Sequence, residues 1–284
     1  MRSQLRVPHL ALGFLAVLLL GGRMAHAQLA HLVKDLNTTN AHALGYGYMP
    51  TPVLAGANLF FTADDGGSGN ELWKLDTTTG TATRVKDICP GPCSSSPIWL
   101  TALGNLVLFQ AEDGAHGYEL WRSDGTEAGT FLLRDVNPGF ASAYGGPWID
   151  AVGGKVLFSG RDPVFGVELW STDGTRAGTQ LVAQVSPGIY GEIDPVASSG
   201  TRLLFVADDG VHGQEPWISD GTAAGTYQIR DLNPGAASSA PFNPRGRLYA
   251  SALPDGNFVF AADDGTHGVE LWRTDGTDAG TVLV

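Results

Sequence analysis

An all-β chain built from five copies of one four-stranded unit is what this sequence predicts, on three observations. A Glu-Leu-Trp word recurs, its Glu falling at Glu71, Glu119, Glu168, Glu215 and Glu270, at spacings of 48, 49, 47 and 55 residues; such a period marks a repeat architecture. Short β-rich runs alternate with Asp-Gly and Gly-Asn turns, and no segment after the N-terminal leader carries a helical apolar period. Thirty-nine glycines and sixteen prolines among 284 residues, without a collagen period, supply the turns that many short strands need.

The first element is a leader. Arg2 and Arg6 precede an apolar run from Leu10 to Leu20, followed by Ala25-His26-Ala27, the order of a secretory signal peptide cut after residue 27. The run is too short to span a bilayer, and no comparable stretch follows, so the mature chain is expected to be exported, secreted or held at the cell surface, without a membrane span. Losing Arg2, Arg6 and Arg23 takes the formal charge from −12 to −15, and the whole chain has four lysines. Such a surface repels phosphate backbones, which excludes nucleic acid as a partner class.

The remainder, 28–284, divides into units at about 38–89, 90–137, 138–186, 187–233 and 234–284. In the second unit, IWLTAL, LVLFQA, YELWRS and TFLLRDV read as four strands, joined by Gly-Asn, DGAHG and DGTEAG turns. Four strands in 45 to 50 residues is the signature of a β-propeller blade. Blades stack face to face, which explains why Leu106-Val107-Leu108-Phe109 is apolar on both faces. Within each ELW word the Glu and Trp share one face of the strand and Leu takes the other. The structural residues of the repeat are therefore Glu71 and Trp73, Glu119 and Trp121, Glu168 and Trp170, Glu215 and Trp217, Glu270 and Trp272.

Three words, ELWRSDGTEAGT, ELWSTDGTRAGT and ELWRTDGTDAGT, recur nearly intact, with ELWKLDTTTGTAT and EPWISDGTAAGT as looser versions. In these words the chain resembles the secreted bacterial ELWxxDGT-repeat proteins over nearly all of its mature length. The resemblance implies an exported propeller-like scaffold and supplies no activity, because that group has none established.

Departures from the pattern carry their own expectations. Pro216 replaces the Leu of ELW and removes a ladder N–H, so a local bulge or irregularity is expected there. The fifth unit carries extra residues around Pro241 to Tyr249. His31 to Asn37 resembles the last strand of a unit, and TVLV at the C-terminus belongs to the same strand type. The chain thus reads as a fragment of a longer array, a closed five-blade ring being the alternative.

Candidate chemistry is weighed against this scaffold. A catalytic set is one site, whereas each Glu and each Asp of the repeat has four equivalents; residues copied in every unit are those that build it. The buried Glu is expected to find donors in turn N–H groups or in the His of DGxHG, since an unpaired buried carboxylate is costly. Acidic turns at Asp64, Asp65, Asp113, Asp208, Asp209, Asp263 and Asp264 offer hard oxygen donors, which makes calcium the one cofactor to consider, although EF-hand spacing is absent. Cys89 and Cys93, in CPGPC, are expected to form a disulfide, as suits an exported protein. Trp99 and Trp148 break the repeat symmetry and are the candidate binding residues, for a protein or a glycan. The functional expectation is a non-enzymatic binding scaffold, with a secreted hydrolase or lyase acting on polysaccharide as the alternative.

Overall fold

The computed structural model describes residues 36–37, 51–139, 142, 144–186, 193–240 and 249–284, without the side chains of 144–150 and 195. The signal-peptide expectation and most of His31 to Asn37 lie outside these residues. Among the described residues twenty strands form five four-stranded antiparallel meanders. Blade 1 holds β1 (Val53–Ala55), β2 (Asn58–Asp64), β3 (Asn70–Asp76) and β4 (Thr81–Arg84). Blade 2 holds β5 (Ile98–Leu103), β6 (Leu106–Glu112), β7 (Tyr118–Ser123) and β8 (Phe131–Arg134). Blade 3 holds β9 (Tyr144–Val152), β10 (Lys155–Asp162), β11 (Gly166–Thr172) and β12 (Gln180–Ala183). Blade 4 holds β13 (Ile193–Ser198), β14 (Leu203–Asp208), β15 (Gln214–Ser219) and β16 (Tyr227–Gln228). Blade 5 holds β17 (Ala250–Ala252), β18 (Phe258–Asp263), β19 (Val269–Thr274) and β20 (Val282–Leu283).

First strands touch in succession, β1 to β5, β5 to β9, β9 to β13 and β13 to β17. They therefore line the inner side of a β-propeller, and each ELW strand is the third of its blade, one step in from the outer edge.

Every blade has two unlike faces. On one, the Trp of ELW pairs across the strands with a Phe: Phe61 with Trp73, Phe109 with Trp121, Phe158 with Trp170, Phe205 with Trp217, Phe260 with Trp272. The opposite face carries the Leu of ELW. The Leu face of each blade packs on the Trp face of the next. Phe60 and Leu72 meet Val107, Phe109 and Trp121; Leu108 and Leu120 meet Val156, Phe158 and Trp170. Leu157 and Leu169 meet Leu203 and Phe205, and Leu204 and Ile218 meet Phe258, Phe260 and Trp272. Four of the five indoles are buried and Trp217 is half-buried. Each buries about 150 to 250 Å², worth roughly 4 kcal/mol or more by area, which makes these junctions the core of the molecule.

Long polar side chains staple neighbouring blades at their outer edges. Lys86 Nζ donates to the Thr130 carbonyl (2.9 Å), Arg134 to that of Thr179 (3.2 Å) and Arg230 to that of Thr281 (3.3 Å). Blade 3 has Ala183 at the corresponding position.

Pro216 corrects one expectation. The β14–β15 register runs unbroken through the Val206–Pro216 pair. The Pro216 carbonyl accepts from Ile229 N–H (2.9 Å), so the amide nitrogen faces outward to β16 rather than inward to β14. The outer strand β16 has two residues, as has β20 beside Leu271, where β8 and β12 have four, and no bulge forms in the inner pairing.

Candidate functional site

The repeated carboxylates come first, because they are the groups most capable of chemistry. Glu71, Glu119, Glu168 and Glu215 are fully buried. Their donors come from the connection that follows the fourth strand of the same blade. Ile88 and Cys89 donate backbone N–H to Glu71 (2.9 and 3.4 Å), and Val136 and Asn137 do so to Glu119 (2.9 and 3.2 Å). Val185 and Ser186 serve Glu168 (2.6 and 3.3 Å), and Leu232 serves Glu215 (3.0 Å). Ser95 and Ser239 add backbone N–H bonds to Glu71 and Glu215. The Glu thus ties the end of one blade to its middle. Glu270, by contrast, is exposed.

Burial pushes the Glu71 carboxyl up, and pushes those of Glu168 and Glu215 up to about 7, against the lowering effect of these bonds. An acid poised near neutrality often marks a catalytic site. Here each one is walled in by backbone donors, and a small residue faces it across the strands, Ala63, Ala111, Gly160 and Ala207.

The histidines of the DGxHG turns serve the turn, and of the two donors expected for the Glu it is backbone N–H that is used. His116, His212 and His267 bond through Nδ1 to Asp113, Asp209 and Asp264 (2.8, 2.7 and 2.7 Å), three residues earlier. That contact raises each imidazole above its usual range. Ser68 makes the same contact with Asp65 at 3.3 Å.

The acidic turns spend their oxygens locally. Oδ1 of Asp65, Asp113, Asp162, Asp209 and Asp264 each accepts two backbone N–H bonds from the turn, as in Asp65 from Gly67 and Ser68 (3.0 and 2.8 Å). Asp64, Asp208 and Asp263 accept from Gly66, Gly210 and Gly265 (2.6, 2.7 and 2.8 Å). Backbone bonds from the turn hold the Asp264 carboxyl down at about 2. The Gly two residues before each Glu closes the turn with φ between 66° and 86°, a region closed to most side chains. Among the described residues no three metal-ligating side chains come together. The DGT turn is built likewise: Asp124 Oδ1 accepts from Thr126 N–H and hydroxyl (2.9 and 2.7 Å), and Thr130 Oγ1 donates to the Thr126 carbonyl (2.6 Å).

Cys89 and Cys93 are joined in a disulfide. Trp99 is half-buried in β5 and has φ of +57°, within a break in register between Ile98 and Thr101. A bulge of this kind re-aims a side chain at a small conformational cost. Trp148 occupies the corresponding place in the neighbouring inner strand β9, in the irregular stretch between Tyr144 and Ile149; its side chain lies outside the described residues. The structure therefore sets both backbones on adjacent inner strands that touch. Sequence reasoning missed three recurrent parts: the Thr-to-Ser or Thr pair that buckles each DGT turn, as in Ser123 to Thr130 (2.7 Å), the Lys or Arg staple, and the inner-strand bulge. The first two are periodic in the sequence and could have been found there.

No family model and no curated protein matches the sequence. Solved structures do. One from a structural and mechanistic analysis of two prolyl endopeptidases superposes with a TM-score of 0.50 at 12% identity, over 83% of this chain and 36% of that one. The β-propeller domain of the Trilobed protease from Pyrococcus furiosus gives 0.42 at 15% identity, over 83% and 70%. TolB from Acinetobacter baumannii gives 0.39 at 12%, over 84% and 54%. The chain thus spans about a third of the prolyl endopeptidase it matches, and at such identity what the two share is a fold.

Proposed function

We propose that this chain is an exported, non-catalytic binding scaffold that engages a protein or a glycan outside the cell or at its surface. One observation carries the reading: four of the five glutamates that recur through the repeat, Glu71, Glu119, Glu168 and Glu215, are occupied by backbone N–H groups, so these acid-base-capable side chains serve to build blades. The leader formed by Arg2, Arg6, the Leu10 to Leu20 run and Ala25-His26-Ala27 supports export, and the Cys89–Cys93 disulfide suits an oxidising compartment. The inner strands supply the recognition surface. Trp99 offers an amphipathic ring held in a re-aimed position, the kind of group that stacks on a sugar or anchors a peptide.

A panel of soluble polysaccharides and unstructured peptides tests this reading with two measurements on the same samples: retention by the immobilised protein, and release of new reducing ends or amines. Retention without release, weakened at least tenfold by Trp99→Ala, is expected. Release that disappears on changing a single Asp or Glu would replace the scaffold with a hydrolase or lyase.

A further inference from the structure

The junction between blades 3 and 4 lacks a part that the other three junctions possess. Elsewhere a cation from the outer strand of one blade, Lys86, Arg134 or Arg230, reaches the carbonyl of Thr130, Thr179 or Thr281 in the next. Arg134 also lies 5.1 Å from the centre of the Trp170 ring, so a π-face and a carbonyl together hold one guanidinium. Between blades 3 and 4 the residue in register is Ala183, which has nothing to donate to the Thr226 carbonyl.

The consequence is a niche at the outer edge of this junction. Thr130, Thr179 and Thr281 are buried, whereas Thr226 is half-buried. Trp121, Trp170 and Trp272 are buried, whereas Trp217 is half-buried. Ala183 packs in the same cluster as Trp217 and leaves the ring uncovered at that edge. The wall differs as well. Across the outer strand pair, Leu132, Leu181 and Leu283 stand opposite Trp121, Trp170 and Trp272, but Gln228 stands opposite Trp217. Gln228 is half-buried and its Nε2 is buried without a hydrogen-bond partner. Turning the amide over brings Oε1, an acceptor, to the same place. An unpaired buried amide is costly until something completes it.

We propose that this niche binds the guanidinium of an arginine presented by a basic segment of a partner protein. The Trp217 ring lies beneath the group, and the Thr226 carbonyl and Gln228 Oε1 accept its N–H bonds. Arginine suits the site better than lysine, because its planar fork can stack on a ring while donating at its edge to two acceptors. The formal charge of −12 draws a basic partner toward the chain. Both blades that form the niche have a neighbour on either side, and its outer-edge position keeps it apart from Trp99 on the inner strands.

The end-capped peptide Gly-Gly-Arg-Gly-Gly, titrated into isotope-labelled protein, tests the proposal through the indole N–H resonances, each assigned by a Trp→Phe variant. The Trp217 resonance is expected to move along a saturating curve, and the peptide with Gln in place of Arg should bind roughly tenfold more weakly or less. Ala183→Arg fills the niche from within, so its Trp217 no longer responds while its melting temperature holds or rises. Arg134→Ala opens the same niche one junction earlier, so Trp170 then begins to respond. A Trp217 resonance that stays fixed, that moves no more than those of Trp121 and Trp272, or that answers the Gln peptide equally well overturns the proposal. So does a response that persists in Ala183→Arg, or a Trp170 that stays silent in Arg134→Ala.

Discussion

Ser95 donates both its backbone N–H (3.0 Å) and its hydroxyl (2.6 Å) to the buried carboxylate of Glu71, twenty-four residues earlier. The pair locks the return segment of blade 1 over the strand that carries Trp73, so a group that looks catalytic in the sequence is a clasp. Removing a clasp leaves its donors buried and unpaired, which costs more than the bonds themselves contribute.

The four buried glutamates and the exposed fifth make an internal control. Glu119→Ala strands the N–H groups of Val136 and Asn137 and is expected to lower unfolding stability by roughly 3 kcal/mol or more. Glu270→Ala, at an exposed position, is expected to stay within about 0.5 kcal/mol. Urea titrations of both variants check this, and equal losses would mean that the buried bonds add nothing.

The blades were legible because their signals are local: Gly and Asp at turns, and a two-residue alternation that sends Trp121 to one neighbour and Leu120 to the other. The clasp was half legible. Burial of Glu beside Trp demanded donors, but backbone N–H groups carry no side-chain signature, and those of Ile88, Val136, Val185 and Leu232 lie in connections of unlike composition. The role of Pro216 was misjudged for a related reason. Which way an amide points in a strand depends on pairing register, and sequence alone leaves that open. The left-handed backbone of Trp99 was equally hidden, since nothing about a Trp in a β-rich run announces a bulge.

Stability is expected to fall as pH rises from about 5 to about 8. Glu168 and Glu215 titrate near 7 in the folded chain, above their ordinary value of 4.5. Between those values the folded state holds protons that the unfolded chain has released, so unfolding becomes easier with rising pH. His116, His212 and His267 act in the same direction. Their folded values are raised above 6.5 by the bonded aspartates, so their contribution is complete below 6.5 and lost as pH climbs through the raised value. The turn aspartates oppose this only in acid: Asp264, held at about 2, contributes above 3.8 and loses that contribution as pH falls toward 2. Denaturation midpoints across this range test the sign, and Glu168→Gln should flatten the stretch between 4.5 and 7.

The outer staples should be measurable one at a time. Arg134 bonds the Thr179 carbonyl and lies 5.1 Å from the centre of the Trp170 ring, which joins blade 2 to blade 3. Arg134→Ala is expected to cost about 1 to 2 kcal/mol through the lost bond and the lost cover over the indole. Ala183→Arg places the same group at the junction that lacks it, facing Thr226, and should gain up to about 1 kcal/mol. Thermal melts of the two variants should shift in opposite directions.

Pro216 leaves a gap as well as a missing donor. A small apolar cleft, its enclosed space about 10 Å³ and so room for about one water molecule, opens between blades 4 and 5, lined by Val196, Leu204, Val206, Pro216, Phe260 and Ala262 among others. Leu72, Leu120 and Leu169 fill the corresponding space at their own junctions. Pro216→Leu restores an N–H facing β16, which is favourable, and adds methyl groups for which the narrow cleft has little room. Against this, a proline restrains the unfolded chain by about 0.4 to 1 kcal/mol, and that restraint is lost. With so little enclosed space the packing gain is small, so stability is expected to stay within about 1 kcal/mol of the wild type, with slower amide exchange at Ile229 and Arg230 from the restored N–H. A drop in melting temperature beyond that range in Pro216→Leu would mean that the junction is packed around the proline and that the gap is a property of the fourth blade's geometry.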